Sequence, residues 1–413
     1  MTQPASPSPL AEAPGDELFR HRVRDALSLF GVDVLAQWER DGHIPRDAIT
    51  ELGRRGLFRE RWAEGAKQGL PRLIAMSQEV CGRSSGLAMA MMGHSEIFTG
   101  ALRWLADGPA QFALLDSALD GTVVGCFAAT EPQGGSSLAA IQTAAVAVGD
   151  GWHLQGCKRY VSNVGGATHV LVLARPERAR GSGDLALFVV PLDAPGVTVD
   201  GFFDAVGIHA CDVGQVTLDA DVPGEALLGQ PGLGLLYASH LLQFERISIC
   251  AQLLTSAERA IRLAAAFGRW RTIGESRLID QQVIRHRLAA CQAELWTLES
   301  RLRELVSWAR ERPGMPAHEI AALKLIVGES AERIVDSCIQ MLGARGCSTN
   351  FPMERMWRDC RLARVGGGTD EVLAELVATG LGRDDPPFDE MLAGYLAADL
   401  PRAGSRRDRE IRR

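Results

Sequence analysis

Two changes of period constrain this chain more than any other feature. From Leu18 to about Leu119 apolar residues recur every three or four positions, as in "ELFRHRVRDALSLFGVDVLAQWERDG", the spacing of one buried helical face. "PRDAITELGRRGLF" opens on a proline suited to a first helical turn and stops near a glycine. From Gly121 to about Gly234 the segments become short and rich in β-branched residues. "TVVGCFAAT", "THVLVLAR", "LALFVVPL" and "GQVTLDADV" are bounded by Gly, Asp, Asn and Pro. From Leu235 to Leu381 helical segments return, over roughly 235–267, 276–311, 316–343 and 370–381, with "RPGMPAH" as a clear break. The pattern predicts an α+β protein in three parts. These are an N-terminal all-α domain (18–120), a middle antiparallel β domain (121–234) and a C-terminal four-helix bundle (235–383). Residues 1–17 read as a disordered leader and 384–413 as a solvated tail.

Composition narrows the function. A net charge of −7 gives no basic footprint, so no nucleic-acid partner is expected. The longest apolar runs fall short of the roughly 20 residues a membrane helix needs. The nine cysteines are dispersed with no CxxC pair, which suits reduced thiols in the cytoplasm and gives no metal site. There is no Walker loop, no GxSxG elbow, no HExxH and no GxGxxG opening a helix.

Four stretches carry a resemblance. "AATEPQGGSS" (128–137) resembles the T-E-P-x-A-G-S-D turn that opens the middle domain of the acyl-CoA dehydrogenase family, with Gly134 for the alanine and Ser137 for the aspartate. "GDGWHLQGCKRYVSN" is similar to the family's G-D-x-Y-x-L-N-G-x-K-x-x-I-T-N. "QMLGARGCSTNFPMERMWRDCRLARVGGGTDEV" (340–372) resembles its Q-x-x-G-G and P-x-E-R-x-x-R-D-A segments, running without a gap to I-Y-E-G-T. "LLQFERISI" is similar to the L-D-x-E-R motif of the isovaleryl-type and long-chain-type members.

The resemblance implies FAD as cofactor. It places Phe127, Thr130, Gly135 and Ser136 on the turn that meets the flavin, with Ser136 also toward substrate. Tyr160 stands where an aromatic residue lies against the ring, and Ser162 where a hydroxyl reaches N5. Arg271, Gln281, Gln340, Gly343 and Ala344 match positions that contact FAD from a neighbouring subunit, and Thr369 and Glu371 follow on the terminal loop. "RTIG" is one residue shorter than the family's R-x-x-F-G. Contacts across subunits imply a homo-oligomer, a dimer or a tetramer.

The family's usual catalytic glutamate falls on Gly367. The helix-borne alternative is present at Glu245-Arg246, and the residues three or four away from Glu245 are Leu241, Leu242, Ser248 and Ile249. A carboxylate in that setting has a raised proton affinity, as a base for a weak carbon acid requires. By the resemblance, Glu245 takes the α-proton of an acyl thioester while hydride leaves the β-carbon for flavin N5. The Gly367 N–H helps hold the enolate oxygen. Arg246 and Phe244 are expected on the substrate side, and an electron-transferring flavoprotein or similar acceptor as redox partner. Two alternatives accompany this reading. The thioester could be an acyl or aminoacyl group on a carrier protein in natural-product biosynthesis, or the chain could be a flavin monooxygenase of the same fold.

Overall fold

The computed structural model describes residues 14–179, 181–381 and 390–393. The tail assigned to 384–413 therefore lies almost wholly outside the described residues, as do residues 1–13 of the leader. The chain opens with helices α1 (Pro14–Leu27), α2 (Val32–Asp41), α3 (Arg46–Arg54) and α4 (Leu57–Trp62). They continue with α5 (Leu70–Cys81), α6 (Ser85–Met92), α7 (Gly100–Leu105) and α8 (Pro109–Leu119), with a π-helical stretch at Gly93–Thr99. Helix α1 starts at Pro14, inside the segment read as leader. Proline suits a first turn, and Asp16 and Glu17 face the positive end of the helix dipole.

The strands follow: β1 (Gly125–Ala128), β2 (Ala144–Val148), β3 (Gly151–Ser162), β4 (His169–Pro176), β5 (Ala186–Pro191), β6 (Val197–Asp200), β7 (Val213–Val222) and β8 (Leu227–Leu228). They form one sheet in the order β6-β7-β3-β2-β4-β5-β8, with β1 also paired to β4. Most pairings are antiparallel, as expected for short strands with no helices between them. Two are not: β1 and β2 each run parallel to β4. Strand alternation reports which face is buried and leaves strand direction open, so this mixture was not legible in the sequence.

Beyond the sheet come α9 (Gly234–Trp270), the hairpin β9 (Thr272–Ile273) and β10 (Ser276–Arg277), then α10 (Gln282–Glu311) and α11 (Ala317–Leu342). Two shorter helices, α12 (Pro352–Ala363) and α13 (Asp370–Ala378), close the described bundle. Helix α12 was not among the helical segments read from the sequence, and residues 276–281 form the hairpin edge and a 3-10 turn rather than the start of α10.

The terminal helical parts share one apolar core, running from Phe19 and Leu52 through Leu241 and Ile247 to Leu323 and Ala363. The sheet has a separate core around Leu154, Val170, Phe188, Val216 and Leu218. Helix α5 crosses α9 through the Ser77–Ser248 hydroxyl pair at 2.7 Å, and the Cys81 thiol donates to the Gln252 carbonyl at 3.4 Å.

Helix α12 joins sheet to bundle. The carboxylate of Asp359 accepts the Ile208 N–H at 2.6 Å, and Arg358 donates to the Val206 carbonyl at 3.1 Å. Gly207 lies so close that a Cβ would stand 2.5 Å from the Arg358 carbonyl carbon, so only glycine fits. The E-R-x-x-R-D motif thus fastens the middle of the chain to the bundle.

Candidate active site

Helix α9 is continuous over 37 residues, and Glu245 lies in its first half. Its neighbours Phe244, Arg246 and Ile247 are buried, while Glu245 itself is half-buried. The side chain turns toward the loop 364–369. The carboxyl carbon of Glu245 is 3.8 Å from the point where a Cβ on Gly367 would stand. Burial pushes this carboxyl group's pKa above its ordinary value. The cations of Arg246 and Lys324 and the Gly367 backbone N–H oppose that rise without cancelling it.

The loop is built to leave this space open. Gly367 has φ +69° and Gly368 φ +108°, a region that side chains rarely adopt. A Cβ on Gly367 would also press on Ile249 Cδ1 at 3.2 Å and Arg246 Cγ at 3.4 Å. The loop's carbonyls are held from behind. Arg246 Nε donates to the Gly367 carbonyl at 2.8 Å. Lys324 Nζ donates to the carbonyls of Arg364 at 2.6 Å and Gly368 at 2.8 Å. Thr369 Oγ1 caps α13, accepting the Val372 N–H at 3.5 Å. Arg364 anchors the near end through Glu332 at 2.6 Å and Asp370 at 2.7 Å.

Four positions named from the sequence therefore meet here: Glu245, Arg246, Gly367 and Thr369. Arg246 is 4% exposed and directed at the loop carbonyl, which makes it a support of the loop. Phe244 points elsewhere. It is buried in an aromatic cluster with Trp62 at 6.4 Å and His240 at 5.4 Å between ring centres, and so packs as core. Glu371 lies exposed in the first turn of α13, where backbone N–H groups favour its charged form. Lys324 was missed in the sequence. The only signal was one lysine inside the apolar stretch "AALKLIVG".

The turn after β1 forms a second cluster. Glu131 is 3% exposed and pairs with the fully buried Lys158 at 2.8 Å. Glu131 also accepts the N–H groups of Gln142 at 2.7 Å and Thr143 at 2.8 Å, and the Thr143 hydroxyl. Burial pushes the Glu131 carboxyl up, but Lys158 and these donors outweigh it and hold the group near 2. The turn is rigid because of this buried anchor. Thr130 is tied to β3 through its carbonyl, which accepts the Arg159 N–H at 2.9 Å. Gly135 lies against Thr130, where a Cβ would be 2.8 Å from the threonine Oγ1.

Tyr160 follows at a register shift of β3, with φ +57°, and is 57% exposed. The bulge turns its ring out of the sheet. Phe203 packs beside it at 4.8 Å, and the Arg159 guanidinium covers both rings. Ser162 and Phe127 are half-buried in β3 and β1. At the far end of the bundle, Arg345 lies over Trp270 at 4.9 Å. Arg271, Gln340, Gly343 and Ala344 are all exposed. Gln281 donates to Ser276 at 2.8 Å, inside the hairpin.

The donor set suits a flavin dinucleotide. Among the described residues the N–H groups of Gly135 and Ser136 have no hydrogen-bond partner, and the Ser136 side chain is exposed beside them. Nε of Arg159 is buried next to Tyr160 without a partner. Unspent donors beside an outward-turned aromatic ring match the carbonyl edge and flat face of an isoalloxazine. Among the described residues no group of His, Cys, Asp and Glu side chains could hold a metal ion, and no helix is long and apolar enough to cross a membrane.

Comparison with known proteins agrees with this layout. The acyl-CoA dehydrogenase N-terminal domain matches residues 14–108, the middle domain 126–220 and the C-terminal domain 232–382. The acyl-[acyl-carrier-protein] dehydrogenase MbtN of Mycobacterium sp. (strain MCS) is 33% identical over 387 residues, covering 91% of this chain and 98% of that protein. The mitochondrial short-chain specific acyl-CoA dehydrogenase of Mus musculus is 28% identical over 376 residues, 89% of this chain and 90% of its own. The crystal structure of an acyl-CoA dehydrogenase from Geobacillus kaustophilus superposes with a TM-score of 0.86 at 25% identity, covering 90% of this chain and 99% of that one.

Proposed function

The chain belongs to the acyl-CoA dehydrogenase family of FAD-dependent oxidoreductases, and from that premise we propose that it oxidises the α,β bond of an acyl thioester with Glu245 as the base. The observation that carries this reading is the exchange of places at the loop. Gly367 bears no side chain, and the Glu245 carboxyl carbon stands 3.8 Å from where that side chain would begin. One carboxylate is therefore offered to the site from the helix instead of from the loop.

FAD, when bound, accepts the hydride that leaves the β-carbon. The remaining work belongs to the chain. Glu245 takes the α-proton, and its raised proton affinity narrows the gap to a weak carbon acid. The Gly367 N–H, which faces the Glu245 carboxylate, is the donor that would turn to the thioester oxygen as it gains charge. Thr130, Gly135, Ser136, Tyr160 and Ser162 are the residues that would hold the flavin, on a turn fixed by the Glu131–Lys158 pair. Arg271, Gln281, Gln340, Gly343 and Ala344 lie outward on the bundle and suit a cofactor held by a second copy of the chain. The exposed Trp270, Val283 and Trp296 on the same bundle support self-association, each at least 60% exposed. An external acceptor such as an electron-transferring flavoprotein would reoxidise the enzyme.

The thioester's carrier is a second question. Similarity to an acyl-carrier-protein dehydrogenase at 33% identity, beside 28% to a CoA enzyme, favours a carrier-protein thioester. Anaerobic titration of the holoenzyme with matched acyl groups on CoA and on a phosphopantetheinylated carrier protein tests both points. Flavin bleaching by either supports thioester dehydrogenation, and a lower half-saturation with the carrier supports that substrate. No bleaching with any acyl thioester contradicts the reading.

A further inference from the structure

Three glycines in a row are a poor choice for a loop that must aim one N–H. Glycine has the widest backbone freedom of any residue, and a run of three multiplies it. Gly366, Gly367 and Gly368 occupy that position here, so order must come from neighbours. Thr369 fixes the far side as a helix cap, and Arg246 takes the Gly367 carbonyl. The carbonyls on either side of this peptide pair, Arg364 and Gly368, converge on a single group, the ammonium of Lys324.

Lys324 is fully buried, in the middle of α11, with apolar Ile320, Ala321, Leu323 and Val327 around it in sequence. A buried ammonium is expensive unless its donors are used, and here two of three end on the loop. The contact spans 40 and 44 residues of sequence, so it ties the loop to α11, the helix that also carries the Glu332 partner of Arg364.

We propose that Lys324 is the positioning residue of the glycine loop, holding the Arg364 and Gly368 carbonyls so that the Gly367 N–H stays aimed at the thioester oxygen. This rests on the function proposed above. Lys324 acts on the loop through its backbone carbonyls, while its charge also favours the Glu245 carboxylate. It does for a glycine loop what a side chain packed into the site would otherwise do.

The test separates aiming from general stability by using two ligands. One is an acyl-CoA that the wild-type holoenzyme turns over. The other is its thioether analogue, in which a methylene replaces the carbonyl, so the loop N–H has nothing to meet. Affinities are measured by calorimetry on oxidised holoenzyme, with the enoyl product standing in for the reactive thioester. Lys324→Met is expected to weaken the carbonyl ligand at least tenfold and the thioether less than twofold, with flavin reduction slowed at saturation. Adding Gly366→Ala should recover part of the loss. A Cβ there meets Ile249 Cδ1 at 3.6 Å and the Ala363 carbonyl at 4.0 Å, both ordinary contacts, and it narrows the loop's freedom. Equal weakening of both ligands, or none, overturns the proposal. Where Lys324→Met does not fold, Lys324→Arg is read in its place. It keeps the charge but cannot reproduce both short bonds, so a selective loss of at least threefold is expected and unchanged selectivity overturns it. Failure of the wild type to be reduced by any acyl thioester would instead strike the proposed function.

Discussion

The carboxyl carbon of Glu245 and the bare Cα of Gly367 share one small space, 3.8 Å from the point where a loop side chain would begin. A substitution on either side disturbs the other. Gly367→Ala places a Cβ 3.2 Å from Ile249 Cδ1 and forces alanine to φ +69°. The left-handed backbone alone costs about 1–2 kcal/mol. Denaturant unfolding should show a loss of that order, and stopped-flow flavin reduction should slow at least tenfold as the N–H moves. Gly367→Glu in a Glu245→Gln background meets the same strain, so any activity it restores should be a small fraction of wild type.

The rate of flavin reduction should rise with pH through the ionisation of Glu245. Its carboxyl is pushed up by burial, against the pull of Arg246, Lys324 and the Gly367 N–H. The base works only when deprotonated, so the acid limb belongs above the ordinary glutamate value of 4.5. Single-turnover rates across pH locate it. A limb at or below that value contradicts the assignment of Glu245 as the base.

Glu299 gives a separate, structural pH effect. This α10 glutamate is 5% exposed, and burial with the nearby Glu258 raises it to about 7 against the pull of Arg303. Its folded-state value exceeds the unfolded one, so the native state holds the proton more tightly. The associated stability is present below about 4.5 and is lost as pH rises to about 7. The shift corresponds to at most about 3 kcal/mol. Glu299→Gln should be more stable than wild type at pH 8, with a flatter stability curve between pH 5 and 8. Parallel curves would show that the group titrates normally.

Asp359 should matter for stability and little for chemistry. It accepts the Ile208 N–H at 2.6 Å, at a residue whose φ is +56°. Asp359→Ala leaves that buried donor unpaired, a loss of about 1–3 kcal/mol. Asp359→Asn keeps an acceptor and should lose less. Urea titrations of the three proteins check the order.

The three-part layout was legible because periodicity reports burial. The alternation in β7 survives in the structure as one buried face, and the apolar length of α9 as a helix buried on every side from Arg246 to Leu254. Helix α12 was hidden because its charged residues, Glu354, Arg358 and Asp359, are spent on pairing and on the 206–208 loop rather than on solvent. Glu245 was named from its motif and its apolar flanks, and the structure sets it beside Gly367. Lys324 was not, because the groups it serves are backbone carbonyls 40 and 44 residues away, and carbonyls have no letter in a sequence. Phe244 looked like a channel residue by adjacency to Glu245. Neighbouring helix positions point about 100° apart, and its ring joins Trp62 and His240 instead.

Anaerobic mixing of an acyl thioester with wild-type and Glu245→Gln holoenzymes tests the central claim most directly. Wild-type flavin should bleach within the mixing experiment. The Glu245→Gln flavin, still bound and with its oxidised spectrum intact, should stay yellow, at a rate lowered by at least three orders of magnitude. Bleaching of the glutamine variant at the wild-type rate would show that the α-proton leaves by another route.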